Sequence, residues 1–259
     1  MFYQIKRHPF PVTAHFSHSL VLTYALPEGV LRPLLPPGLD LDCFEQWGFV
    51  AIALVQTHGL KPAFLPGALG QNFFLSGYRI FSKFPTTAGV NNKPATLRGL
   101  RILRSDTDKP FMALAGNLLT HYNYHLAKVE VSQQQSVLSI KITTPNAEAD
   151  LEVSAELSSA PASLPEGSPF SDMETAKHFA GPLPFTFDYE KQTNSIIVIK
   201  GVRKQWNPQP VRVDVSRLTF FDREEFRGCE PILANAFHVQ NIPYSWKRGR
   251  RVQLGGFST

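Results

Sequence analysis

Long β-branched and aromatic segments recur along this chain, and helical patterning appears at only three places. That order constrains the fold more than any single motif. Residues 18–26 (HSLVLTYAL), 48–58 (GFVAIALVQTH), 72–84 (NFFLSGYRIFSKF) and 96–106 (TLRGLRILRSD) each read as a strand. The 48–58 run is apolar without alternation, as a strand buried on both faces is. SVLSIKITT and DLEVSAEL alternate cleanly, as antiparallel strands with one wet face do. PFTFDY, SIIVIKG, VRVDVSRLTFF and AFHVQNIPYSW complete the set. Strands without a regular βαβ alternation argue against Rossmann and TIM folds. The expected architecture is mainly β with a few short helices: an antiparallel, closed or half-closed barrel or cone. Closure removes sheet edges and leaves room for an interior cavity.

The first helix follows Pro27-Glu28-Gly29 and must end at Pro36-Pro37-Gly38. The second, over 108–121, has Asp108 as cap, Pro110 in its first turn, and Phe111, Leu114, Leu118 and Leu119 as an apolar stripe. The third, over 171–180, starts on a Ser171…Glu174 capping box. Residues 158–170 read as a surface loop. With no internal repeat and no break in composition, residues 1–259 are expected to form one domain.

A hydrophobic fraction of 43% supports a large core, and 18% charged residues is too few for disorder. Twenty phenylalanines suit pleated, half-buried surfaces. The net charge of +5 gathers near the C-terminus, in Lys247, Arg248, Arg250 and Arg251, and reads as a solvated basic tail. It lacks the interleaved aromatics of a single-strand platform, so no nucleic-acid partner is expected. Cys43 and Cys229 are too few for a disulfide framework or a zinc ribbon. No window of about 18 apolar residues offers a membrane span. The start of the chain lacks a signal-peptide core. The expectation is a cytoplasmic protein with no membrane partner. A homodimer is expected, because symmetric pairing protects sheet edges.

His15/His18 and His121/His125 are the close histidine pairs, and neither has the context of a metal site; no metal or cofactor is expected. Phosphate-loop, dinucleotide and nucleophile-elbow motifs are absent. The informative residue is Arg79. Alternation puts it on one strand face with Phe73, Leu75, Gly77 and Phe81. A guanidinium there must pair with a buried carboxylate, such as Asp106 or Asp188, reach solvent, or meet an anion. Gly77 on the same face would leave room for a ligand at the backbone. Tyr124 and His125 follow the second helix and are candidates to complete the site.

The order HSLVLTYALPEGVLRPLLPPGLDLD, GFVAIALVQ, NFFLSGYRIF, TLRGLRILRSDTDKPFMALAGNLLTHYNYHLAKVEV and Trp206-Asn207-Pro208-Gln209-Pro210 resembles the uncharacterised YqjF-like family, domain of unknown function 2071. That family is placed in the acetoacetate-decarboxylase-like superfamily, which implies a β-barrel or cone around a pocket. The resemblance makes Arg79, Tyr124, His125 and Trp206 the candidate ligand-binding residues, with no catalytic residue assigned. It also implies what is missing. The decarboxylases carry a Schiff-base lysine where this chain has Tyr124, and a phenol cannot form an imine. Their glutamate corresponds to Leu75. Lys128 lies nearby, and alternation sends it to the face opposite Tyr124's odd-spaced neighbours such as His125. The implied function is binding of a small anionic or carbonyl ligand. An enzyme acting on a small carboxylate or keto acid without an imine is the alternative, and a structural or interaction protein the second.

Overall fold

The computed structural model describes residues 2–86, 95–157, 162–181, 183–204 and 206–255; residues 158–161 of the expected loop lie outside them. The strands are β1 (Val12–Pro27), β2 (Asp40–Leu41), β3 (Trp47–Pro62), β4 (Gln71–Thr86), β5 (Ala95–Thr107), β6 (Tyr124–Leu126), β7 (Lys128–Gln134), β8 (Val137–Thr143), β9 (Leu151–Glu156), β10 (Phe185–Glu190), β11 (Ser195–Arg203), β12 (Gln209–Pro210), β13 (Arg212–Leu218), β14 (Ile232–Trp246) and β15 (Arg250–Gln253). The helices are α1 (Glu28–Leu31), α2 (Pro110–Leu119) and α3 (Met173–Phe179).

Among the described residues, β14, β1, β3, β4, β5, β10 and β11 pair in that order, and β11 pairs back onto β14. The result is a closed ring. Its pairings are antiparallel except for β5–β10, and β6 adds a second parallel pairing on β5. The mainly β barrel expected from the strand order is the fold observed.

The second layer explains why β3 is apolar throughout. Strands β13, β9, β8 and β7 form a separate sheet whose inward residues Leu138, Ile140, Ile142, Leu151, Val153 and Ala155 alternate with wet ones. They pack on the outside of the ring, against Leu20, Leu22, Val50, Ile52, Leu54 and Ile80. Tyr78 stacks on Phe220 at 4.0 Å between ring centroids and donates its hydroxyl to the Ala149 carbonyl at 3.2 Å. The ring's wall therefore has two buried faces, one towards this sheet and one towards the interior.

Three local expectations change. The α2 N-cap is Lys109 without a side-chain bond; Asp108 instead accepts the Phe74 amide at 2.7 Å, tying β4 to the helix start. The α3 cap is Asp172, which accepts the Thr175 amide at 2.7 Å, so the Ser171…Glu174 box does not form. On α2, Phe111, Leu114 and Leu118 are exposed, Leu119 is half-buried, and Met112 and Gly116 are buried, so most of the apolar stripe faces outward. The basic segment is partly strand. Arg250 and Arg251 lie in β15, registered on Val198 and Ile197 of β11.

Candidate functional site

The ring encloses a cavity of about 130 Å³, where one water needs only about 10–15 Å³. Strand register explains the space. Ala51 sits opposite Arg79, Ala53 opposite Gly77, and Ser105 opposite Gly77 from the other side. Small side chains on three neighbouring strands leave the interior unfilled at that level.

Three irregularities then reset which residues face inward. The β1–β3 register shifts between Phe16 and His18, which turns Phe16 inward alongside Ser19 and Val21. The β4–β5 register shifts at Tyr78/Arg79, opposite Leu103, so Leu100, Ile102 and Ser105 all line the cavity. On β14, Phe237 and then Tyr244 and Trp246 line it, and the change of parity spans Asn241, whose φ is 54°. Bulges of this kind re-aim side chains at barrel rims.

Arg79 is surrounded by protein yet keeps surface towards the cavity. The carboxylates that could have paired with it bind other arginines, Asp188 through one oxygen only. Asp106 binds Arg104 at 2.8 Å, and Asp188 binds Arg101 at 2.9 Å. Among the described residues Arg79 makes no ion pair, and its Nε has no acceptor. Burial lowers its pKa, opposed only by the nearby Tyr244, Tyr124 and Tyr122. Gly77 has a different use from the one expected. A Cβ there would lie 2.9 Å from Arg79 Nη2, so the space over Gly77 holds the guanidinium itself.

A second cation, Arg203, lines the cavity from β11. Its guanidinium lies over the Trp206 ring at 4.6 Å and reaches the Tyr244 hydroxyl at 3.5 Å. The Trp206 Nε1 is buried without an acceptor among the described residues. The Tyr122 hydroxyl, beside Thr186, closes no hydrogen bond of good geometry. Arginine and the indole N–H can only donate. No carboxylate lines the cavity among the described residues. The unsatisfied groups thus ask for an acceptor, and the uncompensated charge asks for an anion.

Of the four sequence candidates, Arg79, Tyr124 and Trp206 line this cavity; His125 does not. The correction follows from alternation, because adjacent strand residues face opposite ways. His125 pairs beside Asp106 and feels Arg104, Asp106 and Glu148 on the other face. Leu75 lines the cavity, and no lysine does among the described residues. Lys128 is exposed and pairs with Glu130 at 2.7 Å. Arg203 and Tyr244 were not picked out from the sequence. The local signal was an arginine closing an apolar strand, three residues before Trp206.

Tyr124 is held by its backbone. Asn117 of α2 donates to its carbonyl at 2.8 Å and accepts its amide at 2.8 Å. Its ring lies over Gly116, where a Cβ would come within 2.3 Å of Cδ2. Burial pushes the Tyr124 hydroxyl up to about 12. Asp188 is fully buried, and burial pushes its carboxyl up to about 6 from 3.8, against the pull of Arg101. The native state therefore holds a proton between about pH 4 and 6 that the unfolded chain has released. The stability this group contributes must fall as pH rises through that window. Urea unfolding at pH 4 and pH 7 should show wild type losing on the order of 3 kcal/mol relative to Asp188→Asn. An equal pH dependence in both proteins would contradict this.

Residues 13–242 match the model of a family described as uncharacterised conserved proteins, DUF2071. No curated protein matches the chain in sequence. Solved structures share its fold at low identity. The enduracididine biosynthesis enzyme MppR, complexed with pyruvate, is 13% identical with a TM-score of 0.59, over 94% of this chain and 90% of that one. An acetoacetate decarboxylase-like enzyme from Sphingomonas wittichii RW1 is 13% identical with a TM-score of 0.58, over 93% of each chain. Acetoacetate decarboxylase from Legionella pneumophila is 11% identical with a TM-score of 0.60, over 94% of this chain and 88% of that one.

Proposed function

The chain belongs to the DUF2071 family, and we propose that it binds a small carboxylate or keto acid in the ring's interior. The carrying observation is Arg79: an enclosed guanidinium with no counter-charge among the described residues, beside a second arginine and an indole N–H without a described partner. A protein retains an unpaired buried cation at a cost of several kcal/mol unless something compensates it. A carboxylate would do so bidentately. MppR, of like fold, is solved with pyruvate, a ligand of this class. Calorimetric titration should give binding of pyruvate, acetoacetate or propionate, and at least about tenfold weaker binding of the matching amides, which lack the charge. Equal affinity for acid and amide would refute an anion site.

A catalytic reading is favoured by the two tyrosines. Burial raises the pKa of both Tyr122 and Tyr124, so each lines the cavity as a neutral phenol able to donate a hydrogen bond. Such hydroxyls suit polarisation of a carbonyl held by Arg79. Imine chemistry is outside this reading, since it needs an amine in the cavity. Borohydride reduction with acetoacetate should leave the protein mass unchanged. An adduct mapped to any lysine, Lys128 included, would overturn that.

A further inference from the structure

Beside the Arg79 cavity lies a second space of about 310 Å³, between α2, the start of β1, the end of β3 and the start of β4. Its walls are apolar, with Leu60, Phe73, Phe111, Met112, Ala115 and Leu119 among them. Its polar margin is uncharged: Thr57, Gln71, Thr120, and a His8 that burial keeps neutral near pH 7, with its pKa lowered to about 4. Leu75, Tyr122, Tyr124 and Trp246 line both spaces. These four residues are what the two spaces share as a boundary. Tyr124 is held among them by Asn117, which clamps its main chain, and by Gly116, on which its ring rests.

Resting on the anion site proposed above, we infer that the ligand is amphiphilic: a carboxylate on Arg79 whose alkyl or aryl chain continues past Tyr124 into the apolar chamber under α2. Charge and apolar surface are segregated between the two spaces as they are in such a molecule. The cations lie on one side of the Tyr124 ring, and an uncharged lining lies on the other. A ligand confined to the Arg79 cavity would leave the larger and more apolar space unused. A ligand of chamber chemistry alone would leave Arg79 unpaired.

A length series from acetate to dodecanoate, with phenylpropionate added, tests this by calorimetry. Affinity should rise by about fourfold per methylene once the chain passes Tyr124, the transfer value for a buried CH₂, and level off when the chamber is full. Ala115→Trp places an indole in the chamber from the half-exposed face of α2. It should keep the affinity for propionate and abolish the gain with length; Leu119→Phe serves if that variant does not fold. Arg79→Met should weaken short and long acids alike. If short acids bind through Arg79 and affinity does not change with length, the chamber is no part of the site and only the anion reading survives. If decanoate binds undiminished to Arg79→Met, the chamber acts alone and the continuity is refuted. If no acid of any length binds, both readings fall together.

Discussion

Arg79→Met is expected to fold, to melt at or above the wild-type temperature, and to lose the thermal shift produced by small carboxylates. The expectation rests on what surrounds the guanidinium. It is enclosed by the ring, its Nε has no acceptor, and its charge has no described carboxylate partner. Methionine removes the charge while keeping an unbranched, flexible apolar stem that can adapt to the space left over Gly77. Relief of a desolvated, uncompensated cation is worth of order 1–3 kcal/mol in the unliganded protein. The ligand, in contrast, loses two charge-assisted hydrogen bonds of about 1.5–3 kcal/mol each, so its affinity should fall by two orders of magnitude or more. Thermal-shift and calorimetric measurements on both proteins check the two halves separately. A variant destabilised without ligand would show that Arg79 is a structural ion-pair partner and sink the site.

Asp106→Ala is the mirror case on the other face of the same wall. Arg104 is 3% exposed, with Asp106 accepting from its Nε at 2.8 Å and Glu148 from its Nη1 at 2.7 Å. Asp106 also accepts from Ser76 at 3.2 Å, so its removal strands a buried cation and a buried hydroxyl together. Breaking one side of such a pair costs about 3–5 kcal/mol. Urea unfolding should show a loss of that size, with carboxylate affinity intact at temperatures where the variant is folded. A loss below about 1 kcal/mol would mean that Glu148, half-exposed at the edge, compensates Arg104 alone. Two arginines on adjacent strands thus respond oppositely to removal of charge. The difference is whether the protein itself supplies the anion.

Much of the ring could be read from the chain. The strands at 48–58 and 72–84 are found where the apolar runs lie, and lengthen to Trp47–Pro62 and Gln71–Thr86. The odd-numbered face of β4 is the inner one, with Leu75, Arg79 and Phe81 in the cavity lining. Alternation was enough to reach this, because β4 keeps one period through these residues. The same rule separates Tyr124 from His125, and pairing both with Arg79 ran against it. What periodicity could not show are the register shifts at Ser17 and Leu103 and the parity change across Asn241. Each depends on how two strands meet, and each moves cavity residues to the inner face. Arg203 and Tyr244 enter from segments more than a hundred residues beyond Arg79, where local pattern carries no information about proximity. The α2 stripe misled for a related reason. A helical period identifies an apolar face without identifying what covers it, and here Met112 and Gly116 turn inward instead.

The closing strands give the site a place in the order of folding. β1, β3, β4 and β5 are neighbours in sequence and in space, so that part of the wall is built from short-range contacts. The ring shuts through β14, whose His238 meets His18 at a separation of 220 residues, and β15 then covers the rest of β11. Contacts of that range form late, because loop closure must come before they can stabilise anything. Arg79 is placed on the early wall, with its guanidinium still hydrated. It loses that water only when Tyr244 and Trp246 arrive. The electrostatic cost of the cavity thus falls on the last step of folding, after the scaffold that holds the arginine in place is complete.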